Sequence, residues 1–151
     1  MIFALLTITI ISTVTISHIG TTVSNSLRKL PIYSVATDEK KIAITFDAAW
    51  SAEDTDELIE ILKKHKAKAT IFAVGDWVDN NPEAVKKFHK NGHEMANHSD
   101  THTAFSKISR EEIKQEILDC NKKIEAITGV APKLVRAPSG DYDSKRIEVA
   151  E

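Results

Sequence analysis

From Lys40 onward, short apolar runs rich in β-branched residues alternate with stretches of helical periodicity, and no other feature limits the possible folds so tightly. Lys40-Lys41-Ile42-Ala43-Ile44-Thr45-Phe46-Asp47 has a centre with little polar alternation, as expected of a strand buried on both faces of a parallel sheet. Ala69–Val74, closed by Gly75, repeats that character, and Glu94–Asn97 and Lys133–Arg136 are shorter versions of it. Ser51-Ala52-Glu53-Asp54 predicts a helix start, with Leu58, Ile61, Leu62 and His65 recurring at helical spacing. Asn81-Pro82 opens a second helix, because proline suits the first helical position, and Asn91-Gly92 ends it. Ser109-Arg110-Glu111-Glu112 is a capping box ahead of Ile113, Ile117, Cys120, Ile124 and Ile127, a single helical face ended by Gly129. Strands that alternate with helices imply right-handed βαβ units in a parallel sheet, or the beginning of a barrel.

Composition narrows the function. Of 151 residues, 42% are hydrophobic and 28% charged, with five Gly and four Pro, which is the profile of a folded domain. Twenty Lys and Arg oppose 22 Asp and Glu without forming a basic stripe, so no nucleic acid is expected as a partner. Cys120 is the single cysteine, which excludes an intramolecular disulfide and a structural zinc site built from several cysteines. The first 27 residues contain no Asp, Glu, Lys or Arg. Residues 1–23 therefore read as a membrane anchor or signal segment, residues 24–39 as a linker around Pro31, and 40–151 as the folded domain. Arg28 and Lys29 follow the apolar run and none precedes it, the reverse of the charge order expected for an anchor with an external domain.

The chemistry-bearing residues gather at the predicted C-terminal ends of strands. His98 and His102 are four residues apart, so a tight turn or helix brings both imidazoles toward one point, as a divalent ion requires of a local ligand pair. Asp47 ends the first strand and Arg136 the fourth. Asp47 alone would serve equally as a helix cap, and His89 with His93 shows the same spacing as the candidate pair without its surroundings. Trp50, near Asp47, suits either a sugar-binding groove or the core.

Taken together, Thr45-Phe46-Asp47, His98-Ser99-Asp100-Thr101-His102 and Arg136-Ala137-Pro138-Ser139-Gly140 resemble the first three motifs of the NodB-type polysaccharide deacetylases, carbohydrate esterase family four. Asp47-Ala48-Ala49-Trp50 resembles the sporulation-associated subgroup. The resemblance implies an α/β fold, a distorted (β/α) barrel, and metal-dependent removal of N-acetyl groups from amino-sugar polymers such as peptidoglycan or chitin-like oligosaccharides. It makes His98 and His102 the ligands of a divalent metal, usually zinc, Asp47 the base that deprotonates water, and Arg136 its orienting partner. The backbone N–H of Ser139 would face the oxyanion. An N-acetylglucosamine-containing polysaccharide is the implied partner, met by a membrane-anchored or secreted protein that faces the cell envelope.

Three departures accompany these matches. Ala48 stands where the family has a second aspartate that binds metal, Ser139 where an aromatic residue is usual, and Ala137 where a proline is usual. The family's two later motifs, including the histidine that protonates the leaving amine, do not occur before Glu151. A (β/α) barrel takes ~250 residues, so an incomplete domain is expected. The alternative to an enzyme is accordingly an inactive fragment or pseudoenzyme that retains at most metal or glycan binding.

Overall fold

Three strands of four residues form a parallel sheet in the order β1 (Thr45–Ala48), β2 (Thr70–Ala73), β3 (Glu94–Asn97). The computed structural model describes residues 31–142 together with 148 and 149. The expected membrane-directed segment 1–23 and the first part of the linker, 24–30, lie outside the described residues. Residues 31–39 contain no helix or strand, as a tether should, and no described helix is long and apolar enough to cross a membrane.

The strands are level at their ends: Thr45 pairs with Thr70 and Thr70 with Glu94, while Ala48 pairs with Ala73 and Ala73 with Asn97. Residues just past these positions therefore meet at one edge of the sheet. The expectation for the first strand needs correction. β1 is shorter, and it alternates between exposed and half-buried residues, with Ile42 before it 88% exposed. Among the described residues it pairs only with β2, and Phe46 and Ala48 pack on the core while Thr45 and Asp47 face the other way. The fourth predicted strand is likewise reduced to one parallel bridge, Asn97 with Val135, with Pro132 and Pro138 on either side of the short run.

Among the described residues four α-helices pack with the sheet: α1 (Thr55–Lys64), α2 (Gly75–Asn80), α3 (Pro82–Lys90) and α4 (Arg110–Thr128). Ser51 does not cap α1. Its hydroxyl accepts the Glu53 N–H at 3.2 Å in a local turn, and Asp54 occupies the cap position without a side-chain bond. The buried face of α1 is Thr55, Ile59 and Leu62, with Leu58 packed beside it and Ile61 left 49% exposed. Pro82 opens α3 as predicted. α4 begins in the predicted capping box, Ser109 Oγ accepting the Glu112 N–H at 3.2 Å, and ends at Gly129 with φ 74°. Its buried residues Ile113, Cys120 and Ile124 follow the predicted face. Cys120 gives its thiol proton to the Ala73 carbonyl at 3.3 Å, and burial pushes the thiol pKa up to about 12.

Gly75 starts a helix that the sequence reading leaves out. A β-carbon at this position would lie 1.9 Å from Asp100 Oδ1, so only glycine lets the loop after β3 approach. The Gly75 and Asp76 N–H groups donate to the Ser99 and Asp100 carbonyls at 3.0 and 2.9 Å. The start of α2 is thereby latched to the His98–His102 loop.

Candidate active site

At the C-terminal edge of the sheet, Arg136 Nη1 donates to Asp47 Oδ1, and its Nη2 donates to Thr45 Oγ1 at 2.9 Å. Thr45 and Asp47 are two residues apart on one strand face, so a planar guanidinium reaches both. The same guanidinium lies 4.0 Å from the centroid of the Phe72 ring, a cation–π contact that holds it over β2. The side chains of Arg136 and Asp47 are 35% and 43% exposed, so the predicted partnership is present at a half-open surface and not at a buried strand end. Solvent screening makes the pair a positioning contact and a small contributor to stability.

His98 is buried, and its Nδ1 lies 2.8 Å from the Arg136 carbonyl. A carbonyl only accepts, so Nδ1 carries the hydrogen and the Nε2 lone pair of the neutral ring faces Asp47 Oδ2 at 3.8 Å. Burial lowers the pKa of this imidazole below its ordinary value, against the opposing pull of the Arg136 carbonyl and the Asp47 charge. The ring of His102 stands with its centroid 4.9 Å from that of His98, inclined at 70°.

The turn that brings the two rings together is left-handed at Ser99 (φ 64°) and at His102 (φ 60°), conformations that cost about 1 kcal/mol or more each in a non-glycine residue. Local hydrogen bonds offset that cost. The His102 N–H donates to Ser99 Oγ at 3.0 Å, and the Ser99 N–H donates to Asn97 Oδ1 at 2.7 Å. Asn97 Nδ2 in turn donates to the Ile117 carbonyl at 2.8 Å and to Asn121 Oδ1 at 2.7 Å, fixing the loop to α4.

Trp50 is 86% exposed, which removes it from the core, and its ring centroid is 6.4 Å from that of His102. Beside it a cavity of about 470 Å³ is lined by Phe46, Asp47, Leu58, Trp77 and Phe88 among others. Ser139 is exposed three residues beyond Arg136, in the turn Pro138–Gly140 whose Pro138 is buried, and takes a left-handed conformation with φ 56°. Asp47, His98, His102, Arg136 and Trp50 are thus linked by direct contacts, and Ser139 stands on the loop next to them. Thr45, Phe72 and Asn97 are parts of the site that motif reading passes over. The period-two phase of β1 points to Thr45; Phe72 and Asn97 look like ordinary strand residues until the sheet is assembled.

The donors suit a divalent ion in part. His98 offers a directed Nε2 lone pair, and His102 is adjacent. Among the described residues, however, no three His, Cys, Asp or Glu side chains gather as a metal site. Ala48 packs its methyl on the core side with Phe46, so position 48 supplies no donor.

Comparison with known proteins identifies the family. The polysaccharide deacetylase family model matches residues 34–151. The chain is 38% identical over 125 residues to the uncharacterised protein YlxY of Bacillus subtilis, covering 83% of this chain and 39% of the relative. It is 37% identical over 120 residues to the peptidoglycan-N-acetylglucosamine deacetylase PgdA of Listeria monocytogenes, covering 80% of this chain and 26% of that one. Among solved structures, a family 4 carbohydrate esterase pseudoenzyme from Bacillus anthracis superposes with a TM-score of 0.72 at 34% identity, over 75% of this chain and 40% of that one. The chain therefore spans less than half the length of these relatives. Its α/β architecture, with a partial parallel sheet, is that of their fold. With residues 34–151, most of its length, within the family model, this chain belongs to the polysaccharide deacetylase family.

Proposed function

We propose that this chain carries the base-bearing part of a hydrolase that removes N-acetyl groups from amino-sugar polymers, peptidoglycan or chitin-like oligosaccharides. The observation that supports this most is the Asp47 carboxylate, held by Arg136 through one oxygen and facing the His98 Nε2 with the other. The Arg136 guanidinium orients Asp47, so its free oxygen takes the proton from the attacking water. His98 and His102 would hold a divalent ion, zinc by the resemblance, which when bound polarises the acetyl oxygen and acidifies water. The Ser139 N–H faces the developing oxyanion, and exposed Trp50 offers its ring to the apolar face of a sugar.

Acetate release from N-acetylglucosamine oligomers and from peptidoglycan tests this reading. D47N is expected to retain zinc and to lose about 10²–10⁴-fold in rate, the usual worth of a general base. Undiminished hydrolysis would remove Asp47 from that role. A second reading, a non-catalytic family member that binds glycan, is favoured by Ala48 and by likeness to a pseudoenzyme. It predicts oligosaccharide binding by the parent chain without acetate release. The charge-free start of the chain supports a membrane-anchored or secreted protein at the cell envelope, which fractionation of cells expressing it would check.

A further inference from the structure

The two residues between the left-handed positions Ser99 and His102 are held by a side chain from a distant part of the sequence. Glu116, near the end of the second turn of α4, accepts the N–H of Asp100 at 2.9 Å and that of Thr101 at 2.8 Å on Oε2. Its Oε1 accepts the Thr101 hydroxyl at 2.8 Å. A carboxylate suits this place because both of its oxygens accept, whereas glutamine presents only one acceptor oxygen. The bonds from Ser99 and Asn97 secure the ends of the loop, and Glu116 secures its middle. Lys123, two turns further along α4, adds an ion pair to Asp100 at 2.7 Å. α4 itself is anchored by buried Ile113, Cys120 and Ile124, so the helix does not depend on Glu116 for its seat.

We infer that Glu116 is a positioning residue, whose carboxylate clamps Asp100 and Thr101 so that the imidazoles of His98 and His102 converge on one point. The consequence for metal binding rests on the reading given under Proposed function. A side chain that orients ligands without touching the ion commonly controls affinity by about 10–100-fold.

The test uses the full chain with zinc chloride as probe, comparing the parent with E116A and E116Q by calorimetric titration, thermal unfolding and NMR of the histidine ring nitrogens. E116A is expected to bind zinc about 10–100-fold more weakly, with its unfolding midpoint near that of the parent, and E116Q to fall between them. Equal zinc affinity in all three would overturn the inference, since a merely structural role moves the midpoint and leaves affinity alone. Should the parent bind no zinc, the metal reading alone fails, and the ring signals decide. His102 signals displaced or broadened in both variants uphold the clamp, and signals coincident with the parent's reject it.

Discussion

At the scale of single residues the site depends on contacts that tolerate no substitute of merely similar charge. Arg136 joins Asp47, Thr45 and the Phe72 face with one planar group, which a lysine ammonium does not reproduce. R136K is therefore expected to leave the fold intact and to lower acetate release at least about tenfold by freeing the Asp47 carboxylate. Kinetic assay beside the parent checks this, and an unchanged rate would leave Arg136 with no part in orienting the base. Gly75→Ala places a methyl against Asp100, where overpacking costs about 1–3 kcal/mol. Urea unfolding should show that loss, and zinc titration a weaker site, because the same loop carries both histidines. Asp47, His98, His102 and Arg136 were legible because their residue types, order and spacing have few other uses in combination. Glu116 and Asn97 were not, since a glutamate on an amphipathic helix reads as solvated surface until β3 and α4 are brought together.

Elements were legible where their signals are local. The capping box at Ser109, Pro82 at the start of α3 and Gly129 after α4 each act within a turn of the chain, and each stands where the sequence places it. Ser109→Ala should cost about 1 kcal/mol, readable as a lower denaturation midpoint. Ser51 carries a similar local signal and is spent on a turn instead, with Trp77 Nε1 donating to its carbonyl at 3.1 Å. That tertiary bond has no trace in the neighbouring sequence. The apolar Ile42 and Ile44 predict a doubly buried strand, whereas the edge position of β1 among the described residues depends on which strands pair, which apolar content does not encode.

The turn into β3 also carries a pH dependence. His93 is buried, with its Nδ1 accepting the Ala69 N–H at 3.3 Å, and burial with the nearby Lys68 charge lowers its pKa below the ordinary value. The unfolded chain therefore takes up this proton before the folded one does. Stability from His93 is complete above the unfolded pKa of about 6.5 and declines as pH falls below it, by at most about 1.4 kcal/mol per pH unit. Urea midpoints at a series of pH values should fall on the acid side in the parent and fall less steeply in H93Q. Parallel curves would remove His93 as a source, leaving the buried imidazole of His98, whose pKa moves in the same direction.

For the whole molecule, the level ends of three parallel strands convert separated motifs into one site. Asp47 leaves β1, His98 follows β3, and Arg136 follows the single bridge beside β3, so the sheet register alone gathers them. Alternation of strands and helices made that parallel arrangement legible from sequence, while the extent of the sheet depended on pairing at its two margins. The helices then supply the rest: α2 crowds the histidine loop through Gly75, and α4 grips it through Asn121 and Glu116. The most direct test of this architecture is calorimetric titration of the chain with zinc chloride, beside the H98A/H102A double variant. One ion per chain is expected for the parent, at modest affinity because two histidines are the donors gathered among the described residues, and no binding in the double variant. Equal binding by both proteins would contradict it.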